Sequence, residues 1–242
     1  MKILEQCYDV EEFDLSDVLN EEDDPEVFKN AIYFDLEHYV YKKPVCIGIF
    51  GCCYYDENLN KLIITQYMIE NKYEVHTLLL MAKDYFQKMY SELKKKYIVT
   101  FSGNNDFTVI NYLFNQYKID FDIKNYFKEI DLQKEFAKIS NNKENIGLKN
   151  LEKIAGINRK NELMSGVIIA KTFAKIIKDG DYINRVPEEK INKILNYNLD
   201  DVINLFYICV KWEKIKKFVL EGKHLEDKED SEDISWVFFL FN

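Results

Sequence analysis

Asp35 and Glu37 close an otherwise apolar run, Ala31-Ile32-Tyr33-Phe34-Asp35-Leu36-Glu37. Its β-branched and aromatic content suits a strand. On a strand, residues two apart project from one face with Cα atoms about 6.6 Å apart. Two carboxylates in an apolar setting are costly unless something neutralises them. Divalent ions with oxygen ligands, Mg²⁺ or Mn²⁺, would do so. Hydration at an exposed strand end is the alternative, and the pair alone does not separate the two. Asp106 follows the polar lead-in Ser102-Gly103-Asn104-Asn105; taken alone it reads as a helix cap, a role Asp fills well. Tyr197 and Asp201 are four apart on a predicted helix and so share a face. Asp200 then points about 100° away and reads as a solvent-facing charge.

These residues need elements to position them. After the run at 31–37, residues 44–55 and 62–69 are two further strands joined through Asp56-Glu57-Asn58-Leu59-Asn60, a hairpin connection. Apolar residues at helical spacing over 73–96 predict a helix whose end is Lys94-Lys95-Lys96, favourable for the dipole. A strand at 97–101, a helix after Asp106, a short strand at 126–132 and helices at 133–139, 148–155, 166–178 and 188–218 complete the pattern. Hairpin strands followed by crossover helices predict an α/β fold with a mixed five-stranded sheet flanked by helices. Residues 1–30 read as an acidic surface arm, 31–220 as the domain, and 221–242 as an acidic linker with an apolar tail.

The 242 residues are 47% hydrophobic, enough for one large core, and carry a formal charge of −9. That charge disfavours a nucleic-acid coat protein, whose affinity comes from clustered bases, but not a metal-assisted enzyme with a local basic strip. Five cysteines without a CxxC pair read as reduced, structural thiols. The N-terminus turns acidic without an apolar core, unlike a signal peptide. No apolar run nears the roughly 20 residues of a spanning helix, so a cytoplasmic protein without membrane contact is expected.

Phe34-Asp35-Leu36-Glu37 resembles the first motif of the ribonuclease H-like DEDD exonucleases, and Tyr197-Asn198-Leu199-Asp200-Asp201-Val202 resembles their third, in its tyrosine-bearing form. Asp106 fills the second. Leu148 to Glu152 through Gly156-Ile157-Asn158-Arg159, with Ile130-Asp131-Leu132, is similar to the YprB-type ribonuclease H-like group. The likeness spans roughly residues 33–209. The group's second motif usually reads Asn-Gly-x-x-Phe-Asp, whereas this chain has Ser102-Gly103-Asn104-Asn105-Asp106-Phe107. A gapless match puts Phe107 at the acid's place, and a loop one residue shorter is needed to seat Asp106.

The resemblance implies a ribonuclease H-like fold and two divalent cations, Mg²⁺ or Mn²⁺, hydrolysing phosphodiester bonds of single-stranded DNA or RNA from the 3′ end. Asp35 is implied to bridge both ions, Glu37 and Asp201 to hold one, and Asp106 to support the other. Tyr197 is implied to orient or help deprotonate the attacking water. His38, on the opposite strand face from the acids, is expected to play no part, and Asp131 to cap the next helix. Tyr39, Tyr41 and Lys42 follow the first motif and are candidates to stack on a terminal base and steady phosphates; a solvated turn is the alternative. Lys149, Lys153, Arg159 and Lys160 are candidates for a basic strip, a solvated helix face being the alternative that the pattern favours. Two other readings stay open: an endonuclease of the same fold, and a binding or scaffold protein lacking a metal ligand. The tail Trp236–Phe241 is expected to pack on the domain, with docking to a protein partner as the alternative.

Overall fold

The computed structural model describes residues 1–21, 24–140, 146–159, 161 and 164–222. The strands are β1 (Lys2–Asp9), β2 (Ala31–Tyr41), β3 (Lys43–Asp56), β4 (Lys61–Met68), β5 (Tyr97–Thr100) and β6 (Lys128–Asp131). The helices are α1 (Val27–Asn30), α2 (Val75–Ser91), α3 (Asn104–Gln116), α4 (Leu132–Ile139), α5 (Leu148–Ile154), α6 (Gly166–Lys178), α7 (Glu188–Val210) and α8 (Trp212–Leu220). They build one sheet in the order β1-β4-β3-β2-β5-β6. The first four strands pair antiparallel, while β2-β5 and β5-β6 are parallel.

The mixed sheet flanked by helices stands, but it has six strands rather than five. The added one, β1, lies inside the segment expected to be a surface arm and pairs with β4 from Lys2↔Met68 to Asp9↔Lys61. Its residues alternate between partly and fully exposed, as on an edge strand, so it lacks the apolar signal that marks the central strands. The single helix expected over 188–218 is broken at Lys211, which leaves helical geometry with φ −114° and ψ 20°. The tail Trp236–Phe241 lies outside the described residues.

Strand alternation sorts the side chains into two cores. Ile32, Phe34, Phe50 and Cys52 face α2, α3 and α6, where Phe34 meets the rings of Phe50, Phe86 and Phe107. Ala31, Tyr33, Cys53 and Ile64 face the other way, toward Leu199, Val202, Phe206 and Cys209 of α7. The same period of two carries Asp35 and Glu37 onto the α7 side. Cys46, Cys52, Cys53 and Cys209 are buried and unbridged, and Cys7 is an exposed free thiol. Burial pushes the Cys46 and Cys209 thiols up to about 12, in keeping with packing roles. Among the described residues no helix is long and apolar enough to cross a membrane.

Two glycines let the layers close. A Cβ on Gly48 would meet the Phe173 ring of α6 at 2.3 Å. Gly48 is also the residue passed over where the β2-β3 register shifts between Glu37 and His38, so a bulge lies directly beyond the acids. A Cβ on Gly51, which pairs with Asp35, would meet Asn198 Oδ1 at 2.1 Å. Only glycine admits the α7 side chain this close to the strand backbone.

Candidate metal centre

Asp35 and Glu37 on β2 and Asp201 on α7 each present a carboxylate oxygen, and these oxygens lie within 4.8 Å of one another. Helix periodicity places Tyr197 one turn before Asp201. Burial, followed by the charges of Asp201 and Glu37, holds its phenol well above the usual tyrosine range, so it stays protonated.

Asp106 stands in the first turn of α3. It is buried but outside the set of three within 4.8 Å. Its carboxyl is pushed well up by burial, then by the charges of Asp35, Asp131 and Asp201, so it feels two members of the cluster. Phe107, at the acid's place in a gapless match, is buried instead, 6.0 Å between ring centroids from Phe34. The loop ahead of Asp106 is tightly constrained. Ser102 adopts φ 56°, and a Cβ on Gly103 would strike Thr100 Oγ1 at 2.4 Å. Asp131 Oδ1 accepts from Ser102 N at 2.9 Å and from Gln133 N at 3.1 Å. Asp131 thus caps α4, as expected, and also ties the second-motif loop to the end of β6.

The electrostatics are those of acids crowded without enough donors. Burial raises Asp35 to about 6 against the opposing Asn198 hydrogen bond and Arg159 charge. Glu37 is raised well above the usual range by burial and by Asp35, Asp201 and Asp106. Asp201 is likewise raised by burial and Asp35, with Arg159 opposing. No hydrogen bond reaches the Glu37 or Asp106 carboxylate from the described residues. Converging hard oxygen donors, raised by mutual repulsion, suit a divalent cation. The residues present therefore fit the ions that the motifs imply.

Several residues escaped the sequence reading. Asn198 Nδ2 donates to Asp35 Oδ2 at 2.8 Å, while Gln66 Nε2 donates to Asn198 Oδ1 at 2.8 Å and to Leu195 O at 3.0 Å. This buried relay fixes the Asp35 carboxylate from β4 through α7. Its signal was a buried-type glycine, Gly51, opposite a polar residue inside the third motif. Glu152 receives Arg159 Nε and Nη2 at 2.7 Å each. Asp200 is not a solvent charge: it is buried and accepts from Asn161 N at 3.3 Å and from Asn161 Nδ2 at 3.0 Å.

Other candidates are placed variously. Arg159 does not lie on an open basic strip; its guanidinium also donates to Asp201 Oδ1 and covers the Tyr197 ring at 5.4 Å. Lys149 is partly exposed on α5. Tyr39 packs on the core, whereas Tyr41 is exposed at the β2-β3 hairpin, with the Lys42 amine 5.9 Å from its ring centroid. Burial lowers the His38 imidazole to about 4, so it is neutral at physiological pH.

No curated protein and no solved structure matches the chain. A family model described as RNase H superfamily matches residues 32–213. That span begins in the strand of Asp35 and runs just past the helix of Asp201, taking in every strand but β1. Most of the chain, including the three clustered acids and Asp106, thus falls under one family description, and the chain belongs to the RNase H superfamily.

Proposed function

We propose that the protein is a metal-dependent nuclease, a 3′-5′ exonuclease acting on single-stranded DNA or RNA, of the tyrosine-bearing DEDD kind and the YprB-like group. The observation that carries this reading is the convergence of Asp35, Glu37 and Asp201 within 4.8 Å. Two divalent cations, Mg²⁺ or Mn²⁺, would supply charge to the scissile phosphate and acidify the attacking water. Asp35, Glu37, Asp106 and Asp201 would hold them. The 3′ polarity comes from the motif resemblance.

The chain's own residues then have distinct tasks. Asn198 keeps the Asp35 carboxylate turned toward the cluster through its 2.8 Å hydrogen bond. Tyr197, protonated and beside Asp201 and Glu37, donates its hydroxyl proton in a hydrogen bond that orients the incoming water rather than removing its proton. Tyr41 lies about 13 Å along the strand beyond Glu37, with Lys42 in the turn that follows, where an aromatic ring and an ammonium suit a terminal nucleotide.

End-labelled single strands incubated with Mn²⁺ or Mg²⁺ test the reading. The wild type is expected to give a ladder from the 3′ end that Asp35→Ala abolishes. Cleavage that survives Asp35→Ala, or no metal-dependent cleavage at all, refutes it. Internal cuts that Asp35→Ala removes would make the enzyme an endonuclease of the same fold.

A further inference from the structure

Arg159 is one of two arginines in the chain, and its guanidinium lies between two buried acids. Nε and Nη2 donate to the Glu152 carboxylate at 2.7 Å each, and Nη2 also donates to Asp201 Oδ1. The side chains of Glu152, Arg159 and Asp201 are 2%, 10% and 6% exposed. Asn204 Nδ2 adds a hydrogen bond of 3.0 Å to Glu152 Oε1. Glu152 is therefore an anchor: fork-to-fork pairing fixes the guanidinium plane. The anchored side chain sets a permanent positive charge on one of the three converging carboxylates.

We propose that Arg159 is a resident counter-cation of the metal centre, which holds Asp201 in the cluster while no divalent ion is bound and competes with the ion for that carboxylate. The inference rests on reading the acidic cluster as a metal centre. Its two effects have opposite signs. Without the guanidinium, Asp201 faces Asp35 and Glu37 with less compensation in a poorly solvated site, so the metal-free fold is less stable. With an ion bound, the same fixed charge repels it and draws electron density from a ligand oxygen, so the ion is held less tightly. A residue that merely braced the site would lower both quantities when removed. A residue that only contacted substrate phosphates would leave metal affinity unchanged when nucleic acid is absent.

The experiment uses the full chain, freed of metal with chelator and without nucleic acid. Mn²⁺ binding is followed by titration calorimetry, and the thermal midpoint is measured in chelator. Arg159→Met is expected to lower the midpoint yet tighten Mn²⁺ binding about tenfold. Glu152→Gln combined with Arg159→Met removes both buried charges, guards against simple unfolding, and is expected to tighten binding to a similar degree. Asp201→Asn is expected to lose most Mn²⁺ binding. Unchanged or weaker Mn²⁺ binding in both arginine variants, with Asp201→Asn still defective, overturns the counter-cation and leaves the metal centre standing. A wild type that takes up no Mn²⁺, or an Asp201→Asn variant that binds it as the wild type does, overturns the metal centre and this inference with it.

Discussion

Asp131 on β6 and Glu37 on β2 are carboxylates of one sheet, with β5 between their strands, and their surroundings are opposite. Asp131 is buried with two backbone N–H groups on Oδ1 and the Lys134 ammonium 3.3 Å from Oδ2. Glu152 and Asp200 are of the same kind, saturated by Arg159 and Asn204 or by Asn161. Glu37 has three acids for electrostatic neighbours and no donor among the described residues. A buried acid that the fold satisfies serves the fold. An acid that the fold crowds and leaves unsatisfied is destabilising until something outside the chain compensates it, which places its use in binding and chemistry.

Substitution should therefore split the two kinds. Glu37→Gln is expected to cost nuclease activity at least about a thousandfold, or ~4 kcal/mol of transition-state stabilisation. In chelator the same variant should be more stable than the wild type, by a margin that grows with pH. The sign follows from the raised carboxyl. The folded state binds the Glu37 proton more tightly than the unfolded chain, so wild-type stability falls as pH rises above the unfolded value of about 4.3, and glutamine removes that loss. Thermal midpoints of the two proteins at pH 5 and pH 8 measure it; a gap that shrinks with pH would break the contrast. Asp131→Ala should behave in the opposite manner, losing about 2 kcal/mol of stability by urea denaturation at neutral pH through the lost cap and the freed Ser102 N–H. Stability equal to wild type would place Asp131 with the functional acids. Gly51→Ala sharpens the comparison at its smallest scale. The added methyl forces Asn198 away from Asp35, with an expected cost of about 1 kcal/mol in stability and a Mn²⁺ affinity lower by about threefold. Unaltered affinity would show that Asp35 needs no orienting donor.

The acids legible in the sequence were those whose position an element dictates. Asp35 and Glu37 share a strand face by a period of two, and Tyr197 and Asp201 share a helix face by a period near four. Asp106 is preferred to Phe107 because it is the only acid between Lys96 and Asp120, and Phe107 packs against the Phe34 ring. What stayed hidden depends on tertiary approach. Asp200 looked solvated because helical phase alone says nothing of Asn161, which arrives from a loop. Arg159 looked like part of a basic strip because its Glu152 and Asp201 partners are set by how α5 and α7 pack. β1 was missed because an edge strand with one fully exposed side need not read as apolar.

The relay behind Asp35 has a consequence for how the protein comes into being. Asn198 is 163 residues from Asp35 and 132 from Gln66 along the chain. Contacts of such separation close large loops and are expected late in folding. A ribosome would have released both strand acids, β3, β4 and Gln66 well before α7 could dock on them. Until then the nascent chain has neither the third-motif acid nor the donor that aims the first. On the proposed nuclease reading, hydrolytic competence belongs to the finished domain, and a chain interrupted before α7 is expected to be a fragment that cannot cut.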